Sequence, residues 1–328
     1  MNKTILVTGA AGYIGSHTCI ELLKNNYSVI GLDSFANSRM ATVYKMELIS
    51  GHAIQFVRSN CMDQDLPSSI DGVIHFAAYK SVGDSVKSPG KYFENNNGSL
   101  NAVLDHARTI GAPLVFSSSA CVYGNRYVGA LHESLPKDPI NPYGMTKSFG
   151  EDMLAAYTTA YGLPSVSLRY FNPIGSHPSG LIGDTTVTNL MPYILKVATK
   201  EEATLKIFGN DYDTADGTAI RDYIHVTDVA KAHIKALNYL LTEKESLPPI
   251  NIGNGKGYSV LQIVKAFEEA TQIEIPYEFH PRRAGDAASL VASNSSYKDL
   301  FGNTSTESLS SMCTSALNFK LKTMKESL

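Results

Sequence analysis

Apolar runs separated by helix-length amphipathic stretches set the rhythm of the first half of the chain. Residues 3–8, 28–33, 53–58, 72–77, 112–118 and 165–171 read as strands, with helices near 13–25, 92–109 and 145–161 between them. Ile5, Leu6 and Val7 form the unbroken apolar run that a strand buried on both faces requires. Alternation of this kind predicts an α/β fold built on a doubly wound parallel sheet, with right-handed crossovers and ligands at the carboxyl ends of the strands. After Asn172 the rhythm changes to longer loops rich in Gly, Pro, Ser and Thr, such as 173–189 and 209–218, mixed with shorter strands and helices. That change predicts a second, smaller mixed α/β domain. The expected division is 1–172 and 173–328, with 219–242 packing back onto the first domain, because Arg221 to Val226 is strand-like and Thr227 is placed to cap the helix after it.

The first strand breaks at Gly9 and resumes as a helix, with further glycines at 12 and 15. Glycines so placed let the backbone turn tightly and approach an anion that the free amides of the helix N-terminus attract, which makes the sheet Rossmann-type. Asp33 ends the next apolar run, where a carboxylate accepts from a ribose hydroxyl, so the cofactor is expected to be NAD rather than NADP. The spacing G-x-x-G-x-x-G is one residue longer than the common dinucleotide fingerprint, and a strand-turn-helix with merely structural glycines is the competing reading.

Composition narrows the class of protein. The chain has 328 residues, 43% hydrophobic and 18% charged, enough for a large nucleotide-binding domain and a smaller one. A net charge of −3 without a basic run argues against nucleic acid or an acidic membrane as a partner, and no apolar stretch reaches a bilayer-spanning length. Cys19, Cys61, Cys121 and Cys313 lack C-x-x-C spacing and none of the nine histidines forms an H-x-x-x-H pair, so no metal is expected. Scattered thiols and an N-terminus that enters the first strand without a charged-then-apolar leader point to the cytoplasm.

Two stretches carry candidate chemistry. In Asn141-Pro142-Tyr143-Gly144-Met145-Thr146-Lys147 a proline opens a helix, and the four-residue step sets Tyr143 and Lys147 on one face. Ser117-Ser118-Ser119 follows a buried strand and so falls at the sheet's carboxyl edge. A surface pair and a turn-capping serine cluster are the plainer alternatives. A free tyrosine ionises near 10, so a base working near pH 7 needs about 4 kcal/mol of preference for the phenolate, which a lysine and a positive nicotinamide ring supply electrostatically.

The glycine spacing resembles that of the extended short-chain dehydrogenase/reductase family, whose triad Ser119, Tyr143 and Lys147 would form. Within that family the chain is similar to the UDP-galactose/UDP-glucose 4-epimerases. The residues carrying this include Gly12 to His17, Val73 to Ala78, Arg169 to Pro173, Asn189 to Tyr193, Ile207 to Tyr212, Asp216 to Thr218, Arg221 to Val226 and Pro281 to Arg283. The resemblance implies an isomerase of carbohydrate metabolism that inverts C4 of UDP-hexoses through a transient 4-keto sugar, with NAD retained and regenerated. It implies that Gly9, Gly12, Tyr13, Ile14, Gly15, Asp33, Asn37, Ser38, Asn60, Cys61, Phe76, Ala77, Lys80, Asn95, Tyr170 and Pro173 line NAD together with the triad. UDP-sugar would be held by Asn172, Asn189, Leu190, Phe208, Arg221, Arg283 and Asp286, with Lys80, Ser119 and Tyr143 beside the sugar. Surface solubility is the plainer reading of the two arginines.

Asn60 stands where the family usually has an aspartate, Ser293 replaces another, and beyond Leu290 only the fold is inferable. Leu290 falls where a tyrosine accompanies preference for plain hexoses, so N-acetylated UDP-sugars are expected as further or even main substrates. His225 and Asp228 read as structural. The family commonly forms a homodimer through two helices per subunit, and the stripe Leu100, Val103, Leu104, Ala107, Met153, Leu154, Tyr157 and Tyr161 suits such an interface or ordinary core burial equally. A nucleotide-sugar dehydratase carries an Asp-Glu pair after the active-site hydroxyl, where this chain has Ala120-Cys121. A non-catalytic NAD-sensing regulator usually loses part of the triad.

Overall fold

The computed structural model describes residues 2–63, 66–186, 189–283, 286–303 and 307–326, so residues 187 and 188 of the loop 173–189 lie outside it. Fourteen strands follow in chain order among the described residues: β1 (Thr4–Thr8), β2 (Ser28–Asp33), β3 (Gln55–Arg58), β4 (Gly72–His75), β5 (Leu114–Ser119), β6 (Ala130–Leu131), β7 (Ser165–Tyr170), β8 (Asn172–Ile174), β9 (Leu205–Phe208), β10 (Ile220–His225), β11 (Ile250–Ile252), β12 (Gly257–Ser259), β13 (Tyr277–His280) and β14 (Ser289–Ala292). They divide between two compact units. The first comprises residues 1–122, 139–170 and 229–250; the second comprises 123–138, 171–228 and 251–328.

A seven-stranded sheet in the order β11-β7-β5-β4-β1-β2-β3 forms the centre of the first unit, and the pairings from β7 through β3 are all parallel. Reversal of strand order beside β1 is the switch point at which such sheets open a ligand crevice. Central strands are buried along their length because helices cover both faces. Leu100, Val103, Leu104, Ala107 and Leu154 are likewise buried, packed with Leu6, Val73 and Phe116 in one core cluster. That part of the apolar stripe therefore serves the core, and only its margin, led by Tyr161 at 58% exposure, is available for a partner.

One helix departs from expectation. In place of a continuous helix over 92–109, a short helix Pro89–Tyr92 passes through a π-helical turn, Phe93–Asn97, into the helix Gly98–Ile110. Asn96 explains the wider turn: its side chain accepts from the Tyr79 amide at 2.8 Å and donates to Tyr79 O at 3.0 Å and Thr146 Oγ1 at 3.1 Å. Those bonds compete with regular helix geometry.

The second unit holds β12-β10-β14-β6, with β8 alongside β10, and a separate parallel pair, β13 and β9. Thr227 does not cap its helix, which begins one residue earlier at Val226; its amide donates to His225 Nδ1 at 3.1 Å. His225 thus satisfies a free helix amide, the structural role its position suggested.

Candidate active site

β1 ends at Thr8 and the chain turns through Gly9, at φ 67°, into the helix Tyr13–Lys24. A Cβ on Gly15 would stand 2.2 Å from Gly9 O, so only glycine lets the loop fold this closely onto the helix N-terminus. Asp33, almost fully buried at the end of β2, accepts from the Ala11 amide at 3.0 Å, the Phe35 amide at 2.8 Å and Ser38 Oγ at 2.8 Å. Phe35 adopts φ 59°, the strained turn that aims its amide at Asp33. Asp33 and Ser38 therefore meet, while Asn37 is exposed beside them. Asn60 caps its own turn by accepting from the Met62 amide at 3.1 Å, and Cys61 is buried, its thiol pushed up to about 12.

From β4, Phe76 and Ala77 follow His75, and the exposed Lys80 places its Nζ 5.8 Å from the Tyr13 ring centroid. Thr8 Oγ1 accepts from the Ala77 amide at 3.4 Å and lies 2.8 Å from His75 Nδ1, latching the ends of β1 and β4 together. Tyr170, buried at the end of β7, hydrogen-bonds His233 Nε2. Asn95 donates to Asn96 Oδ1 at 3.0 Å; Asn97 donates to Thr146 O at 3.2 Å and keeps a buried Oδ1 with no partner among the described residues.

The candidate base comes from the helix Pro142–Tyr161, whose first turn is capped by Asn141 Oδ1 accepting from the Gly144 amide at 2.8 Å. Tyr143, Lys147 and Glu151 share one face of it at four-residue steps. Lys147 Nζ donates to Ser117 O at 2.6 Å and lies 5.9 Å from the Tyr143 ring centroid. Burial pulls the Lys147 ammonium down to about 7 and pushes the Tyr143 phenol up, the latter offset in part by hydrogen bonding with Ser119. Ser119 Oγ also accepts from the Cys121 amide at 3.2 Å. Beneath this set, Arg169 Nε and Nη2 donate to the two oxygens of Glu151 at 2.8 and 2.7 Å, and Ser118 Oγ donates to Oε1 at 2.6 Å. Ser119, Tyr143 and Lys147 are thus brought together in the first unit, at the carboxyl edge of the sheet.

In the second unit, β10 gathers several of the remaining residues. Asn172 and Pro173 on β8 pair in register with Tyr223 and Ile224, and Leu290 on β14 pairs with Arg221. Arg221 is half-buried and donates to Ile220 O at 2.8 Å. The Arg283 guanidinium lies 4.8 Å from the Phe208 ring centroid and its Nε 3.1 Å from Asp286 Oδ2. Asn189 donates to Asp184 Oδ2 at 3.1 Å, immediately before Leu190 opens the helix Leu190–Ala198.

The glycine turn fits a bound dinucleotide: Gly9, Gly12 and Gly15 fold the loop tightly onto the helix N-terminus, whose free amides attract a diphosphate. Among the described residues no His, Cys, Asp and Glu cluster could hold a metal ion, and no helix is long and apolar enough to cross a membrane. Sequence reasoning missed His75, His233, Asn96, Asn97 and Glu151. Only Glu151 left a readable signal, its place one helical step beyond Lys147.

A doubly wound sheet with a glycine turn at the end of its first strand, a buried carboxylate ending the second and a Ser-Tyr-Lys set defines a nucleotide-dependent enzyme of the short-chain dehydrogenase/reductase class. The chain belongs to the NAD dependent epimerase/dehydratase family, whose profile matches residues 5–253. It is 43% identical over 320 residues to the UDP-glucose 4-epimerase of Bacillus subtilis (strain 168), covering 94% of each chain. It superposes with a TM-score of 0.95, at 40% identity over the whole of both chains, on a Stenotrophomonas maltophila UDP-glucose-4-epimerase solved with NAD and formylated UDP-arabinopyranose. Against a Bifidobacterium longum UDP-glucose 4-epimerase in complex with NAD+ and UDP the TM-score is 0.91, at 39% identity over 97% of this chain and 98% of that one.

Proposed function

We infer that the chain interconverts UDP-galactose and UDP-glucose by NAD-dependent inversion at C4, through a transient 4-keto sugar. The observation that carries this reading is Tyr143, half-buried, on one helix face with the buried Lys147, beside Ser119, with Ala120 and Cys121 and no carboxylate following that serine. A dehydratase needs an acid at that place to eliminate water. NAD, when bound, supplies the acceptor for the C4 hydride and returns it, so it is not consumed.

Tyr143 takes the proton of the C4 hydroxyl while Ser119 orients that hydroxyl. Burial alone holds the phenol protonated, so ionising it requires cations, and Lys147 is the chain's own. Ser117 O fixes the ammonium in place. The glycines, Asp33 and Ser38 hold the cofactor; to these the family resemblance adds Asn37, Asn60, Phe76, Lys80, Asn95 and Tyr170. Arg221 and Arg283 neutralise the diphosphate of UDP and Phe208 offers the uracil an apolar wall. Firm UDP contacts and sparse sugar contacts let the ketone turn over before hydride returns to its other face.

Leu290 in register with Arg221 favours a second substrate class, the N-acetylated UDP-hexosamines, because no rigid ring stands there. A homodimer is the assembly we assign; Phe149 and Tyr161, both exposed on the helix Pro142–Tyr161, supply apolar surface for it. A strictly monomeric mass at micromolar concentration discards the dimer. Three buried, unpaired cysteines suit a reducing cytoplasm.

Incubating the purified protein with UDP-galactose without added NAD, then separating the products, tests the central reading. UDP-glucose should accumulate to a fixed ratio. Stoichiometric NAD consumption, or no product, overturns it.

A further inference from the structure

Tyr212 lies on the loop after β9, in the second unit. It is 5% exposed, and its phenol oxygen is buried with no hydrogen-bond partner among the described residues. An unpaired buried hydroxyl is unfavourable and calls for an explanation. The loop nevertheless fixes the ring. The Arg282 guanidinium stacks 4.1 Å from its centroid, and Arg282 is itself tied to Asp211 by Nε to Oδ1 at 2.7 Å and by Nη2 to the carbonyl oxygen. Gly209, at φ 88°, clears the space, since a Cβ there would stand 2.4 Å from Tyr212 Cε2. The backbone closes the arrangement, with the Tyr212 amide donating to Gly217 O at 2.9 Å.

Arg282, stacked on this ring, is followed directly by Arg283, whose guanidinium lies 4.8 Å from the ring centroid of Phe208, the last residue of the strand that leads into the Tyr212 loop. Arg282 is spent on Asp211, whereas Arg221 and Arg283 are the pair assigned to the diphosphate above. We propose that Tyr212 is a further substrate-positioning residue, its hydroxyl donating to the diphosphate of UDP-sugar beside Arg221 and Arg283. The proposal rests on that assignment and adds a neutral donor to it. A hydroxyl with no partner among the described residues gives up none of their bonds when a phosphate oxygen arrives, so the ring is already held and the donor is available.

Tyr212→Phe removes only the oxygen. Calorimetric titration of wild type and variant with UDP and with uridine, together with thermal melts, tests the proposal. UDP should bind the variant about tenfold or more weakly, uridine equally to both, and kcat should hold while KM rises. The variant's Tm should match or exceed the wild type's, because no bond among the described residues is lost. Equal UDP affinity in the two proteins overturns the role of Tyr212, as does a lower Tm with unchanged affinity. An equal loss for uridine overturns the diphosphate contact. A wild type that binds no UDP overturns the functional reading itself, and this proposal with it.

Discussion

Leu290 stands directly opposite Arg221 across the parallel ladder between β14 and β10. The residue that the family resemblance sets beside the sugar's C2 substituent is therefore held next to an arginine assigned to the diphosphate. Pressing an acetamido group against a bulky ring costs roughly 1–3 kcal/mol, or about 10- to 200-fold in discrimination. The wild type should interconvert UDP-N-acetylglucosamine and UDP-N-acetylgalactosamine alongside the plain pair, and Leu290→Tyr should depress kcat/KM for the acetylated pair selectively. An unchanged ratio of the two rates in Leu290→Tyr discards the idea.

Tyr143→Phe should lower kcat by about 100-fold or more, since general-base catalysis contributes at least that much. UDP affinity should stay nearly constant, because the residues assigned to UDP lie in the other compact unit. Steady-state rates and a UDP titration check both halves. An active Tyr143→Phe enzyme removes the proton-transfer role.

Gly15→Ala should empty the protein of NAD. Its Cβ would stand 2.2 Å from Gly9 O, a backbone atom, so the cradle itself has to move. The measurement is nucleotide released on denaturation, with circular dichroism to establish that the variant folds. Wild type should release close to one NAD per chain, and a folded Gly15→Ala that does the same refutes the cradle.

Arg169 and Glu151 form a two-pronged ion pair whose side chains are 4% and 3% exposed. Arg169→Met strands the buried carboxylate and should cost about 3–5 kcal/mol, whereas Arg169→Met combined with Glu151→Leu should recover much of that loss. Urea denaturation measures each. If the single variant is as stable as wild type, the pair has no hold on the catalytic helix.

Burial, reinforced by the Lys147 charge, holds His75 down to about 3 from its usual 6.5. Unfolded chains take up a proton near 6.5 that the folded chain refuses until about 3, so this stability is full above 6.5 and is lost as pH falls through the window to 3. His75→Gln should therefore show a shallower fall in Tm between pH 6.5 and pH 4 than wild type. Parallel curves would leave His75 without a part in acid sensitivity.

What the sequence by itself determined is local. The run Ile5-Leu6-Val7, the glycines at 9, 12 and 15, the carboxylate ending β2 and the four-residue step from Tyr143 to Lys147 all follow from periodicity or from the conformational freedom of single residues. Tertiary structure decided everything that depends on which distant side chains meet. It turned 93–97 into a π-helical turn because Asn96 finds Tyr79 and Thr146. It assigned Leu100, Val103, Leu104 and Ala107 to the core, because a helical apolar stripe is the same whether a sheet or a second subunit covers it. It joined Glu151 to Arg169, Thr8 to His75 and Tyr170 to His233, and it left the Tyr212 hydroxyl buried without a partner among the described residues. Burial and pairing are properties of the packed chain: they arise only when strands far apart in sequence are brought side by side and water is excluded between them.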